Sequence, residues 1–159
     1  MAVEVGQPAP DFSLEGVDRS SGEPVRRTYT LSEHRGAPVV LVFYPGDNTP
    51  VCTRQLNAYT EDFDAFAEVG ASVLAISPQS VESHDEFSCK HGGFAFPLLA
   101  DTDKAVGEAY GILGPLGFYR RSVFVVDAEG IVRYAHRAVA GLTFRPTSDL
   151  VAAVRAASS

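Results

Sequence analysis

Hydrophobic residues along this chain follow two periods. Pro38-Val39-Val40-Leu41-Val42-Phe43-Tyr44 is a short continuous apolar run, the pattern of a strand buried on both faces. Next, Cys52, Leu56, Tyr59, Phe63, Phe66 and Val69 recur at spacings of three and four. That predicts one helical face, closed at Gly70. Residues 71–77 read as a second buried strand, and 80–91 as a polar helix ended by Gly92-Gly93. A short extended segment at 96–100 and a helix at 103–110, closed by Gly111, follow. Residues 121–127 and 131–136 form the strongest hairpin, turning through Ala128-Glu129-Gly130. The last helix is predicted over 146–157, with Pro146 near its first turn. At the other end, the turn-rich string Asp18-Arg19-Ser20-Ser21-Gly22-Glu23-Pro24 separates two short strands at 12–14 and 26–30. One helical turn is expected at 31–35, before Gly36.

This order implies a layered α/β fold in a single domain over 1–159. The expected architecture is a mixed central sheet flanked by helices, with an N-terminal β-hairpin extension. The order is similar to that of thioredoxin-like folds. Composition narrows the function classes. At 45% hydrophobic and 21% charged, the chain is not a disordered one. Its formal charge of −7 argues against nucleic-acid binding and against a polybasic membrane patch. The longest apolar run, Val39 to Tyr44, is far shorter than the ~20 residues that span a bilayer. The opening Met1-Ala2-Val3-Glu4-Val5-Gly6 has no basic and apolar leader pattern, so a cytoplasmic location is expected. Only two cysteines are present, too few for a disulfide scaffold. They are core residues or they carry chemistry.

The informative stretch is Phe43-Tyr44-Pro45-Gly46-Asp47-Asn48-Thr49-Pro50-Val51-Cys52-Thr53. A buried strand ends at Tyr44 and a polar turn follows. Thr49 then serves as N-cap and Pro50 as the first helical residue. Cys52 falls at the third helical position, among backbone N–H groups without intrahelical partners. These groups and the helix dipole favour an anion, here a thiolate. Thiolate population has a limited effect. An ordinary thiol is already about 3% ionised at pH 7, so full ionisation raises its population only about thirty-fold. Any larger acceleration must come from groups that hold the substrate and stabilise a leaving oxygen.

Pro45-x-x-x-Thr49-x-x-Cys52 resembles the active-site signature of the peroxiredoxins. The fuller Tyr44-Pro45-x-Asp47-x-Thr49-Pro50-x-Cys52-Thr53 is similar to the PrxQ branch, also called bacterioferritin comigratory proteins. Gly6-x-Pro8-Ala9-Pro10-Asp11-Phe12 resembles that family's opening. Arg121-Ser122-x-Phe124-Val125-Val126-Asp127-x-x-Gly130 resembles its late hairpin. The resemblance implies a thiol peroxidase that reduces hydrogen peroxide and small organic hydroperoxides. It implies that Cys52 is the peroxidatic cysteine, that Thr49 orients the peroxide and that Pro45 shields the thiolate. Arg121 would steady the thiolate and the developing oxygen charge, a role that suits a planar, always-charged guanidinium. Strand alternation allows only one of Arg120 and Arg121 to point inward, and the resemblance selects Arg121. No metal, haem, flavin or other cofactor is implied. The expected partners are a peroxide substrate and a thioredoxin-type reductant, and the expected state is a monomer.

Many PrxQ proteins carry a resolving cysteine five residues after the peroxidatic one, where this chain has Asn57. A second family arrangement puts it in the following polar helix, where Cys89 falls. Helical periodicity places Val81, His84, Phe87, Ser88 and His91 on one arc, with Cys89 off it and accessible. An intramolecular Cys52–Cys89 disulfide is the expected product. Its Cα atoms must come within about 7 Å, which predicts local unfolding after Thr49 and in the polar helix. Two other arrangements stay open. One is a single-cysteine peroxidase resolved by an external thiol; the other is a non-enzymatic, redox-regulated holdase. A dithiol oxidoreductase is disfavoured, because no C-x-x-C is present: position 49 is Thr and position 55 is Gln. His84, Cys89 and His91 do not have zinc-site spacing.

Weaker signals read as structure. Asp101-x-Asp103 is a turn and helix start. Gly111-x-x-Gly114-Pro115-x-Gly117 is a loop near the site, with Phe118 and Tyr119 either at its mouth or facing solvent. His34 and His136 are structural or surface residues. The ending Val154-Arg155-Ala156-Ala157-Ser158-Ser159 shows no helix that would slow resolution, so resistance to overoxidation is expected.

Overall fold

The computed structural model describes residues 3–114, 116–138 and 144–157. Met1-Ala2, Pro115 and Ser158-Ser159, all named above, lie outside these residues. Seven strands form one mixed sheet in the order β2-β1-β5-β4-β3-β6-β7. The strands are β1 (Ser13–Asp18), β2 (Val25–Thr30), β3 (Val39–Phe43), β4 (Ser72–Ser77), β5 (Leu98–Ala100), β6 (Ser122–Val126) and β7 (Val132–Arg137). The helices are α1 (Pro50–Glu61), α2 (Phe63–Glu68), α3 (Val81–Lys90), α4 (Ala105–Ala109) and α5 (Thr147–Ala157), with a 3-10 turn at Leu31–His34. The three central strands β3, β4 and β5 are parallel, while β1, β2, β6 and β7 add antiparallel edges. The thioredoxin-like α/β fold with its N-terminal hairpin is therefore as expected. No described helix is long and apolar enough to cross a membrane.

Strand β3 is buried along its whole length, and its side chains alternate between two cores. Val40, Val42 and Tyr44 join Leu56, Tyr59, Phe66, Phe87 and Leu150 on one face. Val39, Leu41 and Phe43 join Leu31, Tyr110, Tyr119 and Phe124 on the other. This two-sided burial explains the unbroken apolar run.

Three local differences from the expected elements have clear causes. The apolar face from Cys52 to Val69 is not one helix. It breaks at Asp62, whose backbone leaves helical geometry at φ −97° and ψ 15°. Asp has poor helix propensity, and Phe66 in the helix after the break is fully buried in the core. Strand β1 extends to Asp18, because its partner β2 pairs with it through Asp18↔Val25. The turn signal therefore begins inside the strand. Helix α4 starts late because Lys104 adopts a left-handed φ of 62°. Asp101 then caps it, accepting from the Val106 and Gly107 N–H groups at 3.2 and 2.8 Å.

Candidate active site

The topology brings two distant segments together at one end of β3. Strand β6 runs antiparallel to β3, with Phe43 opposite Ser122. The residue before β6, Arg121, therefore lies beside the end of β3, where the chain turns toward α1. Thr49 is the N-cap of α1 and Pro50 its first residue, so Cys52 is third. The Thr49 hydroxyl accepts from the Cys52 N–H at 3.4 Å and donates to the Gly46 carbonyl at 3.3 Å. The loop is thus closed on itself by the residue that starts the helix. Pro45 is half-buried at the head of that loop, directly after Tyr44.

Cys52 is fully buried in the first core cluster. Arg121 is also buried, and its Nη2 donates to the Cys52 sulfur at 3.2 Å. Arg120 points elsewhere and donates through Nε to the Ala138 carbonyl at 3.0 Å. Strand alternation thus sends one arginine of the pair to the sulfur and the other away. A buried guanidinium is costly to desolvate, so it needs acceptors. Gln55 supplies one: its Oε1 accepts from Arg121 Nη1. Gln55 is one helical turn past Cys52, is buried, and is tied in turn to Tyr59. Burial pushes the Tyr59 phenol up to about 12, so it stays protonated and donates to the Arg145 carbonyl. Gln55 was visible in the sequence only as the residue that breaks a C-x-x-C. Its three-residue spacing from Cys52 was the available signal.

A second polar cluster lies behind the loop. Tyr44 donates to Asp47 Oδ1 at 2.8 Å, and Ser83 donates to Asp47 Oδ2 at 2.8 Å. His84 Nδ1 meets the same Oδ2 at 2.8 Å. These side chains of Asp47, Tyr44 and His84 are buried. Burial and the neighbouring Asp47 charge raise Tyr44 well above the ordinary phenol range, so its hydroxyl keeps its proton.

Cys89 is exposed, while Val81, His84, Phe87 and Ser88 of the same helix are buried. The periodicity argument therefore predicted the buried face of α3. Both thiols are free in this structure. Asn57, where a resolving cysteine is common in the branch, is half-buried on α1. Of the two aromatic residues at the glycine loop, Phe118 is exposed, whereas Tyr119 turns inward and donates to Asp101. Among the described residues, no group of three or more His, Cys, Asp or Glu side chains is placed to hold a metal ion.

The sheet order, the helix that starts around Cys52 and the arginine on its sulfur define a thioredoxin-like fold carrying a single-thiol site. Its fold matches that of Mycobacterium tuberculosis AhpC, with a TM-score of 0.89 at 24% identity, covering 100% of this chain and 95% of that one. Residues 5–135 match the AhpC/TSA family. Peroxiredoxin Bcp of Bacillus subtilis is 37% identical over 138 residues, which cover 82% of each chain. Peroxiredoxin Q, chloroplastic, of Oryza sativa subsp. japonica is 35% identical over 136 residues, covering 84% of this chain and 59% of that one. The chain belongs to the AhpC/TSA family and, within it, to the peroxiredoxin Q/Bcp branch.

Proposed function

We propose that this protein is a thiol peroxidase in which Cys52 attacks hydrogen peroxide or a small organic hydroperoxide. The observation that carries the reading is the buried Arg121 guanidinium 3.2 Å from the Cys52 sulfur. Attack forms an S–O bond and breaks the O–O bond. Sulfur loses two electrons to the peroxide, and the leaving oxygen departs as hydroxide or alkoxide and takes up a proton. Charge therefore moves from sulfur to the leaving oxygen. A fixed, charged donor beside both atoms is worth more in this buried setting than in water. Thr49 at the helix start would orient the peroxide, and Pro45 would keep water from the sulfur.

Cys89 then resolves the sulfenic acid. Its thiolate attacks the Cys52 sulfur, an S–S bond forms, the S–O bond breaks and the oxygen leaves as water after protonation. A thioredoxin-type dithiol returns two electrons to the disulfide. The exposure of Cys89 suits that exchange. The protein works as a monomer in a reducing, cytoplasmic setting under this scheme. The test uses one equivalent of hydrogen peroxide followed by mass-spectrometric thiol mapping. Cys52→Ser is expected to lose all turnover. Cys89→Ser is expected to keep the first oxidation and lose thioredoxin-dependent cycling. A persistent Cys52 sulfenic acid beside a free Cys89 in the unsubstituted protein refutes the intramolecular step and favours an external resolving thiol.

A further inference from the structure

The cluster behind the loop joins the two halves of the proposed reaction. Asp47 belongs to the loop that leads to Cys52, and His84 belongs to α3, five residues before Cys89. Their side chains meet inside a buried hydrogen-bond cluster. His84 Nε2 lies 2.9 Å from the Leu99 carbonyl oxygen, which can only accept, so Nε2 carries a proton. Nδ1 lies 2.8 Å from Asp47 Oδ2. The Tyr44 hydroxyl proton is directed to Asp47 Oδ1, and the Ser83 hydroxyl proton to Oδ2. The Tyr44 hydroxyl also lies 3.3 Å from His84 Nδ1. Through these contacts the Asp47 and His84 side chains form a buried, hydrogen-bonded pair linking the loop, α3 and β5.

Cys52 is buried against Arg121 and Cys89 is exposed on a separate helix, so in the proposed scheme the loop, α3 or both move as the disulfide forms. We propose that the Asp47–His84 pair is the clasp that this movement must open, and that its strength sets the rate of resolution. Asp47 and His84 are positioning residues: neither touches sulfur. With the clasp closed, the loop, Thr49 and Cys52 are held for peroxide attack. With it open, α3 unwinds through His84 and carries Cys89 inward. The same clasp sets how long the sulfenic acid waits, and so how much of it a second peroxide oxidises further. This inference rests on Cys89 being the resolving thiol.

The experiment separates the two steps by rapid mixing with peroxide, quenching with an alkylating agent and mass spectrometry. The chain has no tryptophan, so thiol labelling serves as the readout. Sulfenic acid formation is first order in peroxide; disulfide formation is independent of it. His84→Gln cannot satisfy both Leu99 and Asp47, and is expected to speed disulfide formation at least tenfold. Ser83→Ala removes one hydrogen bond to Asp47 and folds more safely; a smaller acceleration than in His84→Gln, about threefold or more, is expected. In both variants the peroxide-dependent step is expected to stay within threefold, and sulfinic acid at high peroxide is expected to fall. Both steps slowing together, or disulfide formation unchanged in both variants, overturns the clasp. Amide hydrogen exchange on the reduced protein with Cys89→Ser tests it apart from resolution. Faster exchange in residues 81–90 and 45–49 together is expected in either clasp variant, and unchanged protection overturns it. Absence of a Cys52–Cys89 disulfide in the unsubstituted protein refutes the resolving role instead, and the exchange result then still decides the clasp.

Discussion

Replacing Gln55 with leucine isolates what holds the arginine on the sulfur. Leucine has similar volume and keeps the helix, but removes the acceptor for Arg121 Nη1. A hydrogen bond to a charged group is worth about 1.5–3 kcal/mol. Here both partners are buried, so bulk water does not replace the lost acceptor at no cost. If that energy is spent in aligning Arg121, each 1.36 kcal/mol is tenfold in rate, and the peroxide reaction slows on the order of 10- to 100-fold. The assay is competition between the protein and a haem peroxidase for limiting hydrogen peroxide, which reads the first oxidation alone. A parallel measurement of Cys52 alkylation by iodoacetamide supplies the contrast. Alkylation expels a halide and needs no help at a leaving oxygen, so it is expected to slow much less. Wild-type peroxide reactivity in Gln55→Leu would refute the reasoning. Equal slowing of both reactions would show that Arg121 acts only on the thiol and not on the oxygen.

Three further outcomes follow from particular contacts. Arg121→Lys keeps the charge but loses the planar fork that reaches Gln55 and Cys52 together, so peroxide consumption is expected to fall at least tenfold while circular dichroism is unchanged. Gly93 has φ +84°, and an added Cβ would sit 2.8 Å from the Arg19 carbonyl oxygen. Gly93→Ala is therefore expected to cost about 1–3 kcal/mol, read as a lower thermal midpoint. The Arg19 guanidinium, bonded to Asp85 at 2.5 Å, holds that carboxyl below its ordinary value. A depressed acid stabilises the fold above its unfolded value, about 4, and loses that stabilisation as pH falls through the folded one. Protection of α3 amides, referred to the intrinsic exchange rate at each pH, is expected to fall below about pH 4, with Asp85→Asn showing less of this dependence.

The elements legible in the sequence were those set by local rules. The Thr49-Pro50 start of α1 placed Cys52 third in its helix through cap chemistry alone. Alternation left one inward arginine between Arg120 and Arg121, and the structure puts Arg121 on the sulfur. The arc of Val81, His84, Phe87, Ser88 and His91 put Cys89 outside because 100° per residue needs no tertiary knowledge, and of the five only His91, the C-cap, is half-buried. What stayed hidden depends on partners far apart in sequence. Gln55 matters because Arg121 is 66 residues away and beside it, and Asp47 because His84 is 37 residues away. Hydrophobic periodicity ran straight through Asp62, since a short break in a helix leaves the apolar spacing intact. Tyr119 could not be assigned to core or solvent until its bond to Asp101 was seen.

The pairing of Phe43 with Ser122 has a consequence for how this chain tolerates change in length. The distance between sulfur and guanidinium is stored as a count of residues along two paired strands. One residue deleted from β6 ahead of Phe124 would reverse the facing of every side chain before it, sending Arg121 out and bringing Arg120 in. The glycine loop at 111–117 lies on the far side of that count and answers to no such parity. Additions and losses there leave the site in place, whereas in β6 even a single one takes Arg121 away from it. Variation in length among related chains is therefore expected to gather in the loop and stop at Arg121.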